Sequence, residues 1–519
     1  MSTTKTPDGH DSIFIQEVER HQKRYNRILE LTHSTTKAAA VMLLAAIVAL
    51  VVANTAFYDQ FYHFWHTEVS LGFGDSSVSM TLAHIINDIF MAIFFLLVGL
   101  EIKYEMTVGE LTNIRQAILP VGAAIGGVLA PIGIYLLFNA QNPEAIMGWG
   151  VPTATDIAFA LGILALLGSR VPSGVRVFLS TLAVADDIIA ILIIAIFYGQ
   201  SPSPAWLVCA LVILVVLMIM NRNHIYSLAP YLIGGVLLWY CVFMSGVHST
   251  IAGVLLAFTI PSGSRVNIRK FVDWSGEQVR QSHQNLIPDT PIIGQSDYLE
   301  GVARLARVAR QVVPPATRLE RLLYPWVYFA ILPLFALTNA DVSFVGGGLG
   351  EILGDSVFFG VFFGLLIGKP LGIMILSFII VKTKISSLPE NVNWGHMLGA
   401  GLLGGVGFTM AIFVANLAFV DPGHIVVAKV AILSASFVAG IVGFVFLFMQ
   451  AKIAALRGVR YETPLPDASN LQTHVAHEAA RKERRRKRAE EARRQRDERD
   501  REEHEQLQAE NKKPPSIMS

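Results

Sequence analysis

Two adjacent aspartates, Asp186 and Asp187, sit inside the apolar stretch FLSTLAVADDIIAILIIAIFYG. Asp156 lies in a second such stretch, GVPTATDIAFALGILALLG, and Lys369 in a third, FGVFFGLLIGKPLGIMILSF. If these stretches cross a bilayer, each ionised group costs about 2.5–3.5 kcal/mol at its centre on insertion scales. Together they would cost about 10 kcal/mol or more, comparable with the stability of a whole domain. Such groups persist when they share a hydrated site and compensate one another. The simplest alternative is a structural ion pair between Lys369 and one aspartate. That leaves three acids against one base, and a surplus of acid inside a membrane is what a cation site needs. Successive helical positions are about 100° apart, so Asp186 and Asp187 cannot point the same way. One can meet Lys369 while the other faces an ion path.

The chemistry of such a set follows from its surroundings. A carboxylate taken out of water, or set beside another, favours its neutral form, and a lysine opposes this. The group titrates as a coupled set, and protons then compete with a metal cation for the same oxygens. A site that holds one or the other, and opens alternately to each side, performs exchange. Oxygen ligands favour a hard cation such as Na+ or Li+ over softer metals. Cys209 and Cys241 both lie in apolar runs and read as small hydrophobes, neither disulfide partners nor metal ligands. No cofactor is expected.

The elements that must position these groups are membrane-length. The chain of 519 residues is 53% hydrophobic and only 16% charged, against roughly 25% charged in an ordinary soluble domain. Mean hydropathy is +0.50. Apolar runs fall at 38–58, 82–105, 116–138, 145–166, 174–198, 204–221, 226–244, 246–260, 323–342, 356–381, 395–419 and 424–450. At roughly 20 residues per crossing, they predict an all-α membrane protein of about twelve transmembrane helices. The first 35 or so residues are polar, and the first apolar run is long enough to stay in the membrane, so no cleavable leader is expected. The loops after odd-numbered spans carry no Lys or Arg, whereas those after even-numbered spans hold Arg115, Arg170 with Arg176, Arg222, the basic stretch 265–321, and Lys382 with Lys384. Because positive residues stay inside, both termini are expected in the cytoplasm. The expected division is an N-terminal segment 1–34 with an amphipathic helix near 11–32, a transmembrane domain 35–451, and a charged tail 452–519.

Two spans are interrupted. One carries Pro152 in PTATD, and the other runs GAGLLGGVGFTM over 399–410. Gly-rich spans often serve only close helix packing. Here, however, the interrupted spans are fourth and eleventh, the middles of groups 3–5 and 10–12. Equivalent spans lie seven apart, an odd number, so the groups have opposite orientations. That predicts inverted repeats with two discontinuous crossing helices at a midplane site. Asp156 would balance exposed positive helix ends and Lys369 the negative ends. Outside the spans, residues 67–80 alternate apolar and polar around Gly-Asp and predict a small outer β-hairpin. The stretch 262–320 reads as a long cytoplasmic loop, helical near 297–313. The tail mixes acids with its arginines throughout, which argues against nucleic-acid binding.

The motifs INDIFMAIFFLLVGLEIK, ATDIAFALGILALLGSRVP, ADDIIAI, SGVHSTIAGV, RLLYPWVYFAILPLFALTNA, LLIGKPLGI and GGVGFTMAIFVANLAF occur in order over roughly 35–450. Together they resemble the NhaA family of sodium/proton antiporters. The resemblance implies that Asp187 and Asp186 match the family's ion-binding pair, Thr155 and Asp156 its unwound fourth span, and Lys369 the lysine paired with the first aspartate. It implies Asp187 as ion ligand, with Asp186 as the partner of Lys369 and a proton carrier. It also implies electrogenic exchange, with more than one proton per Na+ or Li+, in a bacterial inner (plasma) membrane, serving control of internal pH and sodium. Glu101, Lys103, Glu105 and Glu320 match a cytoplasmic pH-response cluster. The chain departs from the family pattern there, with Tyr104 where arginine is common and with Arg321 and Tyr324 where histidines occur. Asp88 and His248 match family positions that serve equally well as helix-packing groups. The 67–80 hairpin matches a homodimer contact. Two other classes compete with this reading. An intramembrane aspartyl protease needs its aspartates on two helices in Tyr-Asp and Gly-x-Gly-Asp contexts, which these lack. A sodium-coupled symporter of related fold differs in how protons move.

Overall fold

The computed structural model describes residues 34–73, 76–199, 202–342, 349–389 and 391–456. The expected N-terminal amphipathic helix and the charged tail from 457 onward lie outside the described residues. Among the described residues, nine helices are long and apolar enough to cross a membrane, and the bent pair Trp394–Gly404 and Phe408–Ala418 raises the number to ten. The apolar helices Leu228–Met244 and Ile251–Thr259 are shorter, at 17 and 9 residues. The runs at 226–244 and 246–260 therefore fold as helices shorter than the roughly 20 residues of a typical crossing.

These helices are apolar all round, as buried or membrane helices must be. Thr35–Ala53 turns most of its alanines inward, with Ala49 fully buried, and leaves Leu44 61% exposed. Small residues inward and large residues outward fit a lipid surround, where close van der Waals packing holds helices together. The tightest approach joins Ile114–Asn139 to Lys369–Lys382. A Cβ built on Gly372 would overlap the Gly126 carbonyl, and one on Gly126 the Gly372 carbonyl.

That crossing makes a test. Gly372→Ala forces two backbones apart, and overpacking of this kind costs roughly 1–3 kcal/mol. Gly133, on the same helix as Gly126, has nothing within 4 Å of a built Cβ. Gly133→Ala should instead stabilise the helix by roughly 0.5–1 kcal/mol. Thermal unfolding in detergent should shift in opposite directions for the two variants. A similar shift for both would remove the packing argument.

Among the described residues, three π-helical turns interrupt the spans, at Ile86–Phe90, Val327–Ile331 and Gly364–Gly368. Such turns re-aim side chains and recur at functional sites. The third leads directly into Lys369. The second carries Tyr328.

Outside the spans, Glu68–Phe73 pairs antiparallel with Ser76–Thr81, with Glu68 opposite Thr81 and Leu71 opposite Val78. The stretch 262–320 is more helical than its sequence suggests. Ile268–Asn285 and Ser296–Val312 are both helices, where only the second was expected. The first starts at Asn267, whose side chain accepts from the N–H groups of Arg269 and Lys270 at 3.1 and 3.3 Å. That cap and the burial of Gln278 outweigh a polar sequence.

Candidate functional site

The site forms where two chain interruptions meet. A 3-10 turn, Ile146–Thr153, contains Pro152, which has no N–H to continue a helix. The chain then runs extended through Ala154 and Asp156, with ψ of 142° and 98°, before the helix Ile157–Leu166 begins. In the second interruption, Trp394–Gly404 stops, Gly405–Gly407 turn, and Phe408–Ala418 departs at 47°. The breaks satisfy each other's backbone groups. The Asp156 N–H donates to the Val406 carbonyl at 2.8 Å, and the Thr155 hydroxyl donates to the Gly404 carbonyl at 2.8 Å. Gly407 sits against the Ala154 carbonyl, where a side chain would force the two breaks apart.

Asp156 serves two helix starts at once. Its Oδ1 accepts from the Phe159 N–H at 3.0 Å, and its Oδ2 accepts from the Thr409 N–H at 3.2 Å and the Thr409 hydroxyl at 2.5 Å. Its carboxylate therefore lies between the positive ends of two helices, the placement that a helix dipole favours. Lys369 is fully buried and donates to Asp186 Oδ2 at 2.5 Å and to the Thr155 hydroxyl at 2.9 Å. It meets the negative end of Trp394–Gly404 through Thr155, whose hydroxyl bonds the last carbonyl.

Asp186 and Asp187 diverge on the helix Ser173–Phe197. Asp186 faces Lys369. Asp187 lines a cavity with Asp156, Glu101, Tyr328 and Thr409, closed around by apolar residues that include Phe94, Leu332 and Met410. The four groups first singled out are thus gathered as an ion pair beside a second, unneutralised pair of carboxylates. Among the described residues, no cluster of three or more His, Cys, Asp or Glu side chains is arranged to hold a metal ion. A cation here would complete its shell from hydroxyls, carbonyls and water, as hard, weakly held ions do.

The pH-response group splits. Glu101 lies on the cavity wall with Tyr328, close enough to Glu320 and Glu105 for their charges to interact. Lys103 turns the other way. Its ammonium donates to the carbonyls of Ala257 at 3.3 Å, Phe258 at 2.8 Å and Ile260, closing the C-terminus of Ile251–Thr259. Glu105 accepts from the Glu110 N–H at 3.0 Å. Asp88 pairs with His84 at 3.1 Å, and His248 Nε2 donates to the Tyr198 carbonyl at 2.6 Å. Neither lines the cavity.

Sequence reasoning missed three groups. Thr409 was legible as the second residue after the glycine break. Tyr328 carried no signal beyond lying two turns from Glu320. Asn87, Asn339 and Asn416 form an amide network, with Asn416 Nδ2 to Asn339 Oδ1 at 2.8 Å and Asn339 Nδ2 to Asn87 Oδ1 at 2.8 Å. It ties the helix Phe408–Ala418 to two others, and asparagines scattered over the sequence give no hint of it.

Comparison with known proteins adds to this geometry. Residues 29–447 match the family model described as Na+/H+ antiporter 1. A Na(+)/H(+) antiporter NhaA from Wolinella succinogenes is 42% identical over 425 residues, covering 82% of this chain and 93% of the relative. One from Helicobacter pylori is 45% identical over 418 residues, covering 80% and 94%. A solved structure of the sodium proton antiporter MjNhaP1 from Methanocaldococcus jannaschii is 12% identical, covers 85% of this chain and 98% of that one, and has a TM-score of 0.39. That likeness is too loose to bear on the fold.

Proposed function

The chain belongs to the Na+/H+ antiporter 1 family and is a multi-pass membrane sodium/proton antiporter, and from that premise we propose that Asp187 is the carboxylate for which sodium and protons compete. The observation that carries this is the divergence of the aspartate pair. Asp186 is held by Lys369, while Asp187 opens onto the cavity that also contains Asp156 and Thr409. A cation entering there meets the carboxylates of Asp187, Asp156 and Glu101 and a threonine hydroxyl. It must displace the proton on Asp187, so the site holds one or the other. The Asp186–Lys369 couple supplies a second protonatable unit, which makes more than one proton per Na+ or Li+ chemically available and the exchange electrogenic.

The wider architecture fits this reading. Ten bilayer-length elements and two shorter helices together make twelve crossings, with both termini in the cytoplasm by the distribution of Lys and Arg. The two interruptions are the discontinuous helices of inverted repeats, and alternating access about them carries the ion across. The membrane is a bacterial inner membrane, where extruding Na+ against entering protons controls internal pH and sodium. The 67–80 strands join two copies into a homodimer, and the chain divides at 34/35 and 451/452.

Inside-out vesicles test the exchange. With an acidified lumen, adding Na+ or Li+ should release lumenal protons, read as dequenching of a ΔpH dye. The rate should respond to an imposed membrane potential. Absence of proton release, or sodium uptake that requires a co-transported solute, would instead favour the symporter.

A further inference from the structure

We propose that the helical hairpin 268–312 docks its exposed apolar face on the acidic phospholipid surface of the cytoplasmic leaflet. A backbone hydrogen bond joins the two ends of the segment that carries the hairpin. The Ala316 N–H donates to the Pro261 carbonyl at 3.2 Å, so chain leaves and re-enters the spans side by side. Its two helices run antiparallel, because Gly301, near the start of the second, packs against Ser282, near the end of the first. The linking loop is fastened by Gln295, whose side chain donates to the Ile287 and Thr290 carbonyls at 3.0 and 2.8 Å.

Large apolar side chains stay outside this small core. On the first helix, Ile268, Val272 and Val279 are 63%, 61% and 55% exposed, and they fall within roughly 40° of one another at 100° per residue. On the second, Leu299 and Val302 are each 40% exposed. Measured from Ser282, the first stripe lies roughly 40–80° round, and measured from Gly301 the second lies roughly 100–160° round, in the same rotational sense. Antiparallel packing therefore turns both stripes to one side. The loop adds Ile293, 93% exposed. A contiguous apolar face of this kind outside the spans marks an interaction surface.

Charge selects the occupant. Arg269 and Arg310 fall at the edges of the stripe, where a guanidinium can reach headgroups while its stem lies on apolar surface. The acids fall away from it. Glu277 lies opposite Ile268 and pairs with Arg280 at 2.5 Å, and Glu300 pairs with Arg304 at 2.9 Å. A tethered surface with apolar centre and arginine margin matches an acidic lipid leaflet, whose negative surface potential attracts near-surface cations. The inference rests on the cytoplasmic orientation proposed above.

The test uses the full chain in lipid nanodiscs, with Cys209 and Cys241, both free thiols, replaced by serine. An environment-sensitive fluorophore is placed at Val272→Cys or, on the far side, at Glu277→Cys. In nanodiscs containing phosphatidylglycerol, the Val272→Cys label should be about threefold or more less quenched by acrylamide than the Glu277→Cys label, and should be quenched by nitroxide lipids. The difference should vanish in pure phosphatidylcholine, and in Arg269→Glu/Arg310→Glu. Equal acrylamide access at both positions in phosphatidylglycerol overturns the proposal. So does shielding that ignores lipid charge and grows with protein concentration, which would assign the face to a second copy. A membrane-impermeant thiol reagent that reached Glu277→Cys only in right-side-out vesicles would overturn the orientation, and with it the leaflet.

Discussion

Asp187→Asn is expected to abolish sodium-driven proton release, by at least about a hundredfold, while leaving the protein as stable as before or more so. The asparagine keeps the volume and one acceptor oxygen. It cannot carry the charge that a cation needs or the proton that exchange needs. A hundredfold loss corresponds to roughly 2.7 kcal/mol of transition-state or binding free energy, well within what one buried carboxylate supplies to a bare cation. The stability prediction has the opposite sign from ordinary core damage. Asp187 is 2% exposed and shares its cavity with Asp156 and Glu101. A charge removed from such a place removes an insertion cost of about 2.5–3.5 kcal/mol. Proton release in vesicles and thermal unfolding in detergent should therefore separate. Normal exchange in the variant would take Asp187 out of the site. A collapse in melting temperature alongside lost transport would make it a structural residue.

The same residues show what the sequence could and could not disclose. Burial cost alone singled out Asp156, Asp186, Asp187 and Lys369, because in lipid an ionisable side chain is conspicuous whatever it touches. The angular step along a helix was enough to separate the roles of two adjacent aspartates. Pro152 and the glycines at 404–407 marked the breaks, since backbone that cannot continue a helix must find partners elsewhere. What the sequence withheld was how Lys369 reaches a helix end. Thr155 standing between Lys369 and Gly404 is a tertiary fact with no local signature.

Glu101 and Lys103 make the same point in reverse. They are two apart, so on a helix they diverge by roughly 200°, yet resemblance had placed them in one cluster with Glu105. In the fold, Glu101 reaches the cavity of Asp187, while Lys103 closes a helix end some distance along the chain at Ile260. Periodicity could have separated them, but only packing says what each faces. The spans at 226–244 and 246–260 were visible as apolar runs, whereas their short helices were not, because hydropathy does not report where a helix stops.

The second large effect concerns Lys369, and it is one of stability. The ammonium is 0% exposed and its partner Asp186 1%, at 2.5 Å. Lys369→Ala leaves the Asp186 carboxylate without its cation, takes a donor from Thr155 and opens a void where the side chain lay. Breaking a buried pair from one side costs roughly 3–5 kcal/mol, mostly because a charge is left uncompensated. A cost of that kind is recoverable. In Asp186→Asn/Lys369→Met no charge remains and most of the volume is kept, so the double variant should melt well above Lys369→Ala and close to the native chain. The coupling free energy from the full cycle, which includes both single variants, should exceed about 2 kcal/mol, the range of directly contacting residues. Additive losses would mean that the pair is incidental and that Lys369 holds the fold through its contacts alone. Recovery of stability without recovery of electrogenic exchange would place the couple in the proton cycle, since a neutral asparagine and methionine can pack as the ion pair does but cannot hand a proton across.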